Sequence, residues 1–131
     1  MAILIAHGGL GIPQSANLCT AQTGNGDTTN IADRGPSNIN PISPAVIYVT
    51  TTVGGGPTCT YAIQASNDNV VWWAMPYSDV ATPGTLSVAT FTITTATTAI
   101  KHLSTNYCYR YIKVVMSANT NVTNTIDAWF L

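Results

Sequence analysis

The chain has 131 residues, of which 46% are hydrophobic and only 7% charged, with a formal net charge of -1 and no glutamate. That length fits one domain with one core, and four scattered basic residues, Arg34, Lys101, Arg110 and Lys113, are too few to track a phosphate backbone, which argues against a nucleic-acid partner. A surface this poor in charge lacks the usual protection against association, and 21 threonines favour extended backbone. The composition therefore predicts an all-β protein that works in an assembly.

In chain order, residues 1–44 differ from the rest. They open on the apolar run MAILIA, carry GNGD at 24–27, and end in the proline-punctuated GPSNINPISP. MAILIA has no basic residues before it and is too short to span a membrane, so neither a signal peptide nor a transmembrane segment is expected. Turn and loop residues dominate the segment, which reads as an extended N-terminal arm. Its apolar side chains, Ile3, Leu4, Ile5, Leu10 and Ile12, are costly to leave in water, so the arm is expected to order on a neighbouring subunit.

From Ala45 the pattern is strand after strand. AVIYVTTTV (45–53) runs to Gly54-Gly55-Gly56, read as a loop. TCTYAIQAS (58–66) leads through a turn at Ser66-Asn67-Asp68-Asn69 into VVWWAMP (70–76), a β-hairpin. TLSVATFTITT (85–95) changes phase near Ala89 as a bulge would produce, and TTAIKHL (97–103) is a short strand or connection. In YRYIKVVMSA (109–118), Ile112, Val114 and Met116 share one face, while Tyr109, Tyr111 and Lys113 share the other. A turn at NTN (119–121) then predicts a hairpin with TNTIDAWFL (123–131), with Ile126, Ala128 and Phe130 on one face and Trp129 on the other. The expected fold is an antiparallel β-sandwich or jelly roll of about six to eight strands over residues 45–131, with 1–44 as the arm.

Residues that carry chemistry elsewhere do not converge in this sequence. His7 and His102 have no histidine at ligand spacing, and no glutamate is present to act as a base, so no metal or catalytic site is assigned. Asp68 reads as a turn former that caps backbone N–H groups. Asn25, Asp27 and Asp33 offer oxygens in a glycine-rich loop but lack the acidic ring of a calcium site. No G-x-S-x-G elbow occurs, and GGLG and GGG lack the strand-to-helix setting of a phosphate cradle. The expectation is a protein that is not an enzyme and needs no cofactor. Cys19, Cys59 and Cys108 form no CxxC pair and read as reduced thiols, with a Cys59 to Cys108 pairing as the alternative. Trp72 and Trp73 must point to opposite sides of a strand, which places one in the core and leaves the other to be covered. Together with the arm residues, Trp73, Tyr77 and Tyr111 form the candidate interface.

Ile63-Gln64-Ala65-Ser66-Asn67-Asp68 followed by Trp72, and Tyr109-Arg110-Tyr111-Ile112-Lys113-Val114, resemble the paired strand motifs of galactose-binding-like (discoidin-type) jelly rolls. The same pattern is similar to that of small β-sandwich structural proteins of tailed bacteriophages, capsid decoration (cement) proteins among them, over about residues 58 to 130. That resemblance implies a virion protein made in the host cytoplasm that forms an oligomer, trimers being common in the family. It would bind the major capsid protein at the capsid surface, with no nucleic acid or membrane partner. The alternatives are a phage tail, baseplate or fibre component, or a carbohydrate-binding adhesin module, although the loops, mainly Thr, Gly, Asn and Ala, are poor in the charged side chains usual in sugar sites.

Overall fold

A computed structural model of the chain describes residues 2–5, 14–35 and 44–130. Its elements are all strands: β1 (Ala2–Ile5), β2 (Gln14–Gln22), β3 (Gly26–Asp27), β4 (Asn30–Asp33), β5 (Ala45–Ser66), β6 (Trp73–Ala74), β7 (Tyr77–Asp79), β8 (Phe91–Ile93), β9 (Thr98–Leu103) and β10 (Tyr111–Phe130). The all-β class is as expected. The described strands form one connected sheet, antiparallel except where β1 runs parallel to β4.

Two long strands organise that sheet. β5 and β10 pair antiparallel along their whole lengths, from Tyr111 opposite Ser66 to Phe130 opposite Ala45. The register slips between Ser117 and Val122, where Thr120 faces Thr58 and Val122 faces Val53. There Gly56, Ala118 and Asn121 have positive φ, and extra residues on both strands bend the ladder as bulges do. A side chain at Gly54 would put its Cβ 3.2 Å from that of Asn121, so the glycine admits close packing at the bend. The expected loop at the triple glycine and the expected hairpin turn at NTN are both corrected. Each is a bend within one continuous strand, because turn-forming residues opposite one another kink a ladder without ending it.

The bend divides the sheet into two halves. In the first, residues 45–53 and 122–130 are flanked by β2, β9 and β7; in the second, residues 58–66 and 111–120 are flanked by β3, β4, β6 and β8. The halves face each other. Tyr61, whose neighbours Met116 and Phe91 lie in the second half, donates its hydroxyl hydrogen bond to Asn124, whose neighbours Thr51 and Gln22 lie in the first. The sandwich thus arises by folding one sheet over, rather than from two separate sheets.

The alternation read from the sequence fills the interior. Ile112, Val114 and Met116 are buried while Tyr111 and Lys113 are only half-buried, and Ile126, Ala128 and Phe130 are buried with Trp129 outside. Ile47, Val49, Cys59, Tyr61 and Ile63 of β5 complete the core. Tyr109 departs from the expectation: it precedes the strand and is buried beneath Arg34, whose guanidinium carbon lies 4.5 Å from its ring centroid. Burial pushes the Tyr109 phenol up to about 12.

The expected boundary at residue 44 does not hold for residues 14–35. β2 pairs with β10 from Asn124 to Phe130, and Leu18, Cys19, Ile31, Ala32 and Arg34 are buried. A bulge in β2 lets consecutive Leu18 and Cys19 both turn inward, which an alternation rule cannot register. Ala2–Ile5, carrying Ile3, Leu4 and Ile5, pairs with β4 of the same chain. Leu10 and Ile12 lie outside the described residues.

Candidate interaction surface

The turn after β5 is fixed by its own side chains. Asp68 Oδ1 accepts from the Val70 and Val71 amides, each at 2.8 Å, and from Ser66 Oγ at 3.0 Å. Ser66 Oγ in turn accepts from the Asn69 amide at 3.0 Å, and Asn69 sits at φ 61°. These donors hold the Asp68 carboxyl below its usual range, the Val71 and Val70 amides first among them. The capping role read from the sequence is what this geometry describes. Its consequence is a rigid turn presenting Val70 and Val71, 77% and 65% exposed, to solvent.

The tryptophans that follow do not divide into one buried and one covered. Both are half-buried. Trp73 pairs with Ala65 and packs on the core, while the Lys113 ammonium lies 4.3 Å from the Trp72 ring centroid and 3.1 Å from Asp27. The strand here is only Trp73–Ala74, too short to bury a ring fully. Tyr111 is half-buried beside Arg110, which pairs with both Asp33 oxygens at 2.9 and 3.1 Å. Tyr77, expected at a surface, is buried instead, its hydroxyl donating to the Ala89 carbonyl at 2.8 Å. The candidate residues Trp73, Tyr77 and Tyr111 therefore do not form one patch.

The oxygen-rich loop is likewise committed to the fold. Asn25 Oδ1 accepts from the Asn119 amide, Asp27 pairs with Lys113 and Asp33 with Arg110. Among the described residues no three His, Cys, Asp or Glu side chains converge as a metal site, and His102 is exposed. All three cysteines are free: Cys19 and Cys59 are buried and Cys108 is exposed, so the alternative of a Cys59 to Cys108 bridge is not formed. Both buried thiols lie against Asn124, and burial pushes Cys19 up to about 11 and also raises Cys59.

One surface was not singled out by the sequence. On the outside of the first half-sheet, Trp129 stands opposite Val46, which stands opposite His102; one row on, Asp127 faces Tyr48, which faces Ile100. Beyond them Thr125, Thr50 and Thr98 form a third row, and Thr123 and Thr52 a fourth. Trp129 and Tyr48 are each 37% exposed. The alternation did place Trp129 opposite the core face. What it lacked was the pairing of residues 45–53 between two strands far from them in sequence, which turns separate alternations into one plane.

No protein-family model matches the sequence, and no curated protein matches it. Among solved structures, the crystal structure of SPBc2 prophage-derived protein YomS is similar with a TM-score of 0.64, over 90% of this chain and 91% of that one, at 8% sequence identity. At that identity the likeness is one of fold, and it extends over the N-terminal segment as well as the strands from Ala45 onward.

Proposed function

We propose that this chain is a non-enzymatic structural protein of a bacteriophage virion, and specifically a capsid decoration protein that oligomerises and binds the major capsid lattice. The observation that carries the reading is the shared fold with a prophage-derived protein across nine tenths of both chains. Surface chemistry supports it: Asp27, Asp33, Arg110, Lys113, Asp79 and Lys101 are spent on ion pairs within the chain. Exposed apolar groups, among them Val70 and Val71 at a fixed turn and Trp129 and Tyr48 on a sheet face, are left to make contacts.

Quantitative mass spectrometry of purified particles tests the proposal. A copy number near that of the major capsid protein is expected. A few copies per particle would assign the chain to the tail, baseplate or fibre, and absence from particles would overturn the virion reading.

A further inference from the structure

An antiparallel sheet with one face packed on a core usually turns polar side chains outward on the other. The first half-sheet departs from this at one end, where Trp129, Val46, Tyr48 and Ile100 adjoin across β10, β5 and β9. Val46 is buried although it points away from the core, which places it beneath its outward neighbours. Around this apolar strip lie threonines, Ser15, Asn17 and His102. Asp127 is the one carboxylate in these rows, and it accepts a hydrogen bond from Asn17 at 2.8 Å.

We propose that this outer face, centred on Trp129, Val46, Tyr48 and Ile100, is a self-association surface whose occupant is the same face of a second copy of the chain, the two related by a two-fold axis. Two observations select a second copy. A charged partner would find only Asp127 and the exposed His102 to pair with here, whereas two nearly uncharged faces meet with little repulsion and are complementary in polarity by symmetry. The area also fits: four strands about 4.8 Å apart and up to four side-chain rows about 6.8 Å apart give at most roughly 500 Å² per copy, so about 1,000 Å² in a pair. That is the lower bound of a specific interface, so the association is weak and concentration-dependent. The inference deepens the virion reading and rests on it for its biological purpose, though not for its chemistry.

Sedimentation equilibrium of the full chain from about 1 µM to 1 mM, at low and moderate salt, is the test. The wild type is expected to pass from monomer to dimer in that range, with little effect of salt because no ion pair crosses the interface. Trp129→Lys and, independently, Thr50→Glu place like charges on both copies and should each weaken association at least tenfold. Thr50 is an exposed surface position, so its variant keeps the test informative if Trp129→Lys fails to fold. Val70→Glu, on the turn outside this face, should leave association unchanged. A wild type that stays monomeric to 1 mM overturns the proposal, as does association that survives Thr50→Glu in a folded protein. Dimers lost in these variants, from a protein absent from particles, would keep this interface and sink the virion reading alone.

Discussion

The two halves of the sheet are built from the same two strands but are held in different ways. In the first half the β5–β10 ladder runs unbroken from Val122 opposite Val53 to Phe130 opposite Ala45, and the flanking strands β2 and β9 are long. In the second half the flanking strands β3, β4, β6 and β8 contribute only two to four residues each. There the side chains compensate: Arg110 with Asp33, Lys113 with Asp27 and Trp72, and Arg34 on Tyr109 and its carbonyl. Where backbone pairing is long, the outer rows carry a single carboxylate, Asp127; where pairing is short, charged groups hold the edges.

The largest expected effect would break the idea that both halves share one body with the N-terminal segment. Deleting residues 1–34 removes β2 from one side of β10 and empties the sites of Leu18, Cys19 and Ile31. No cooperative thermal transition should remain; a truncated protein that melts cooperatively with a β-type circular dichroism spectrum would restore the arm as a separate segment.

Core truncations on either side of the bend test whether the halves unfold together. Ile126→Ala in the first half and Ile63→Ala in the second should each cost about 2–5 kcal/mol, and each should shift one shared transition in chemical denaturation. Two separate transitions would show that the halves are independent. Tyr61→Phe sharpens the same question, since it removes the hydroxyl that reaches Asn124 across the fold. It should cost about 1–3 kcal/mol by leaving the buried amide oxygen unpaired.

Smaller effects concern titration. The Cys19 thiol, raised to about 11 by burial, is more readily ionised in the unfolded chain. It therefore contributes stability fully present below its unfolded pKa near 9, and lost as pH rises toward 11. A Cys19→Ala variant should show a flatter fall in stability over that window. At pH 8 a thiol reagent should label Cys108 rapidly and the other two only on denaturation, a pattern read by mass spectrometry of labelled peptides. Asp68 has the opposite sign: its carboxyl is lowered by the amides it caps, so its contribution is present above the unfolded carboxylate pKa and lost as pH falls through the folded one. Asp68→Asn should weaken the acid-side dependence of stability, with the smallest change of the set.

The sequence carried the inner faces well, because the period-two alternation of residues 112–116 and 126–130 is a local signal of burial. The capped turn was legible for the same reason, Ser66 and Asp68 lying within a few residues of the amides they bind. Connections were less legible. Gly54-Gly55-Gly56 and Asn119-Thr120-Asn121 carry the residues of loops, and only their position opposite each other makes them bends in a ladder. The segment before Ala45 misled through composition: its glycines and prolines obscure Leu18, Ile31 and Arg34, which enter the core only because β10 supplies a partner. The outer face of the first half-sheet was illegible as a unit, since β2, β10, β5 and β9 bring its rows from four distant stretches.

The central place of β10 also dictates an order of events during synthesis. β2, β3, β4 and one entire side of β5 await a partner strand that begins at Tyr111, long after they have left the ribosome. Until then their backbone N–H and C=O groups toward that partner are satisfied by water, and apolar side chains such as Leu18 and Ile47 lack their final cover. Pairings so distant in sequence close slowly, and open strand edges invite pairing with other chains. The nascent protein is thus most vulnerable to aggregation just before β10 emerges, and its yield on overexpression should depend on translation rate and temperature more than the stability of the finished fold would suggest.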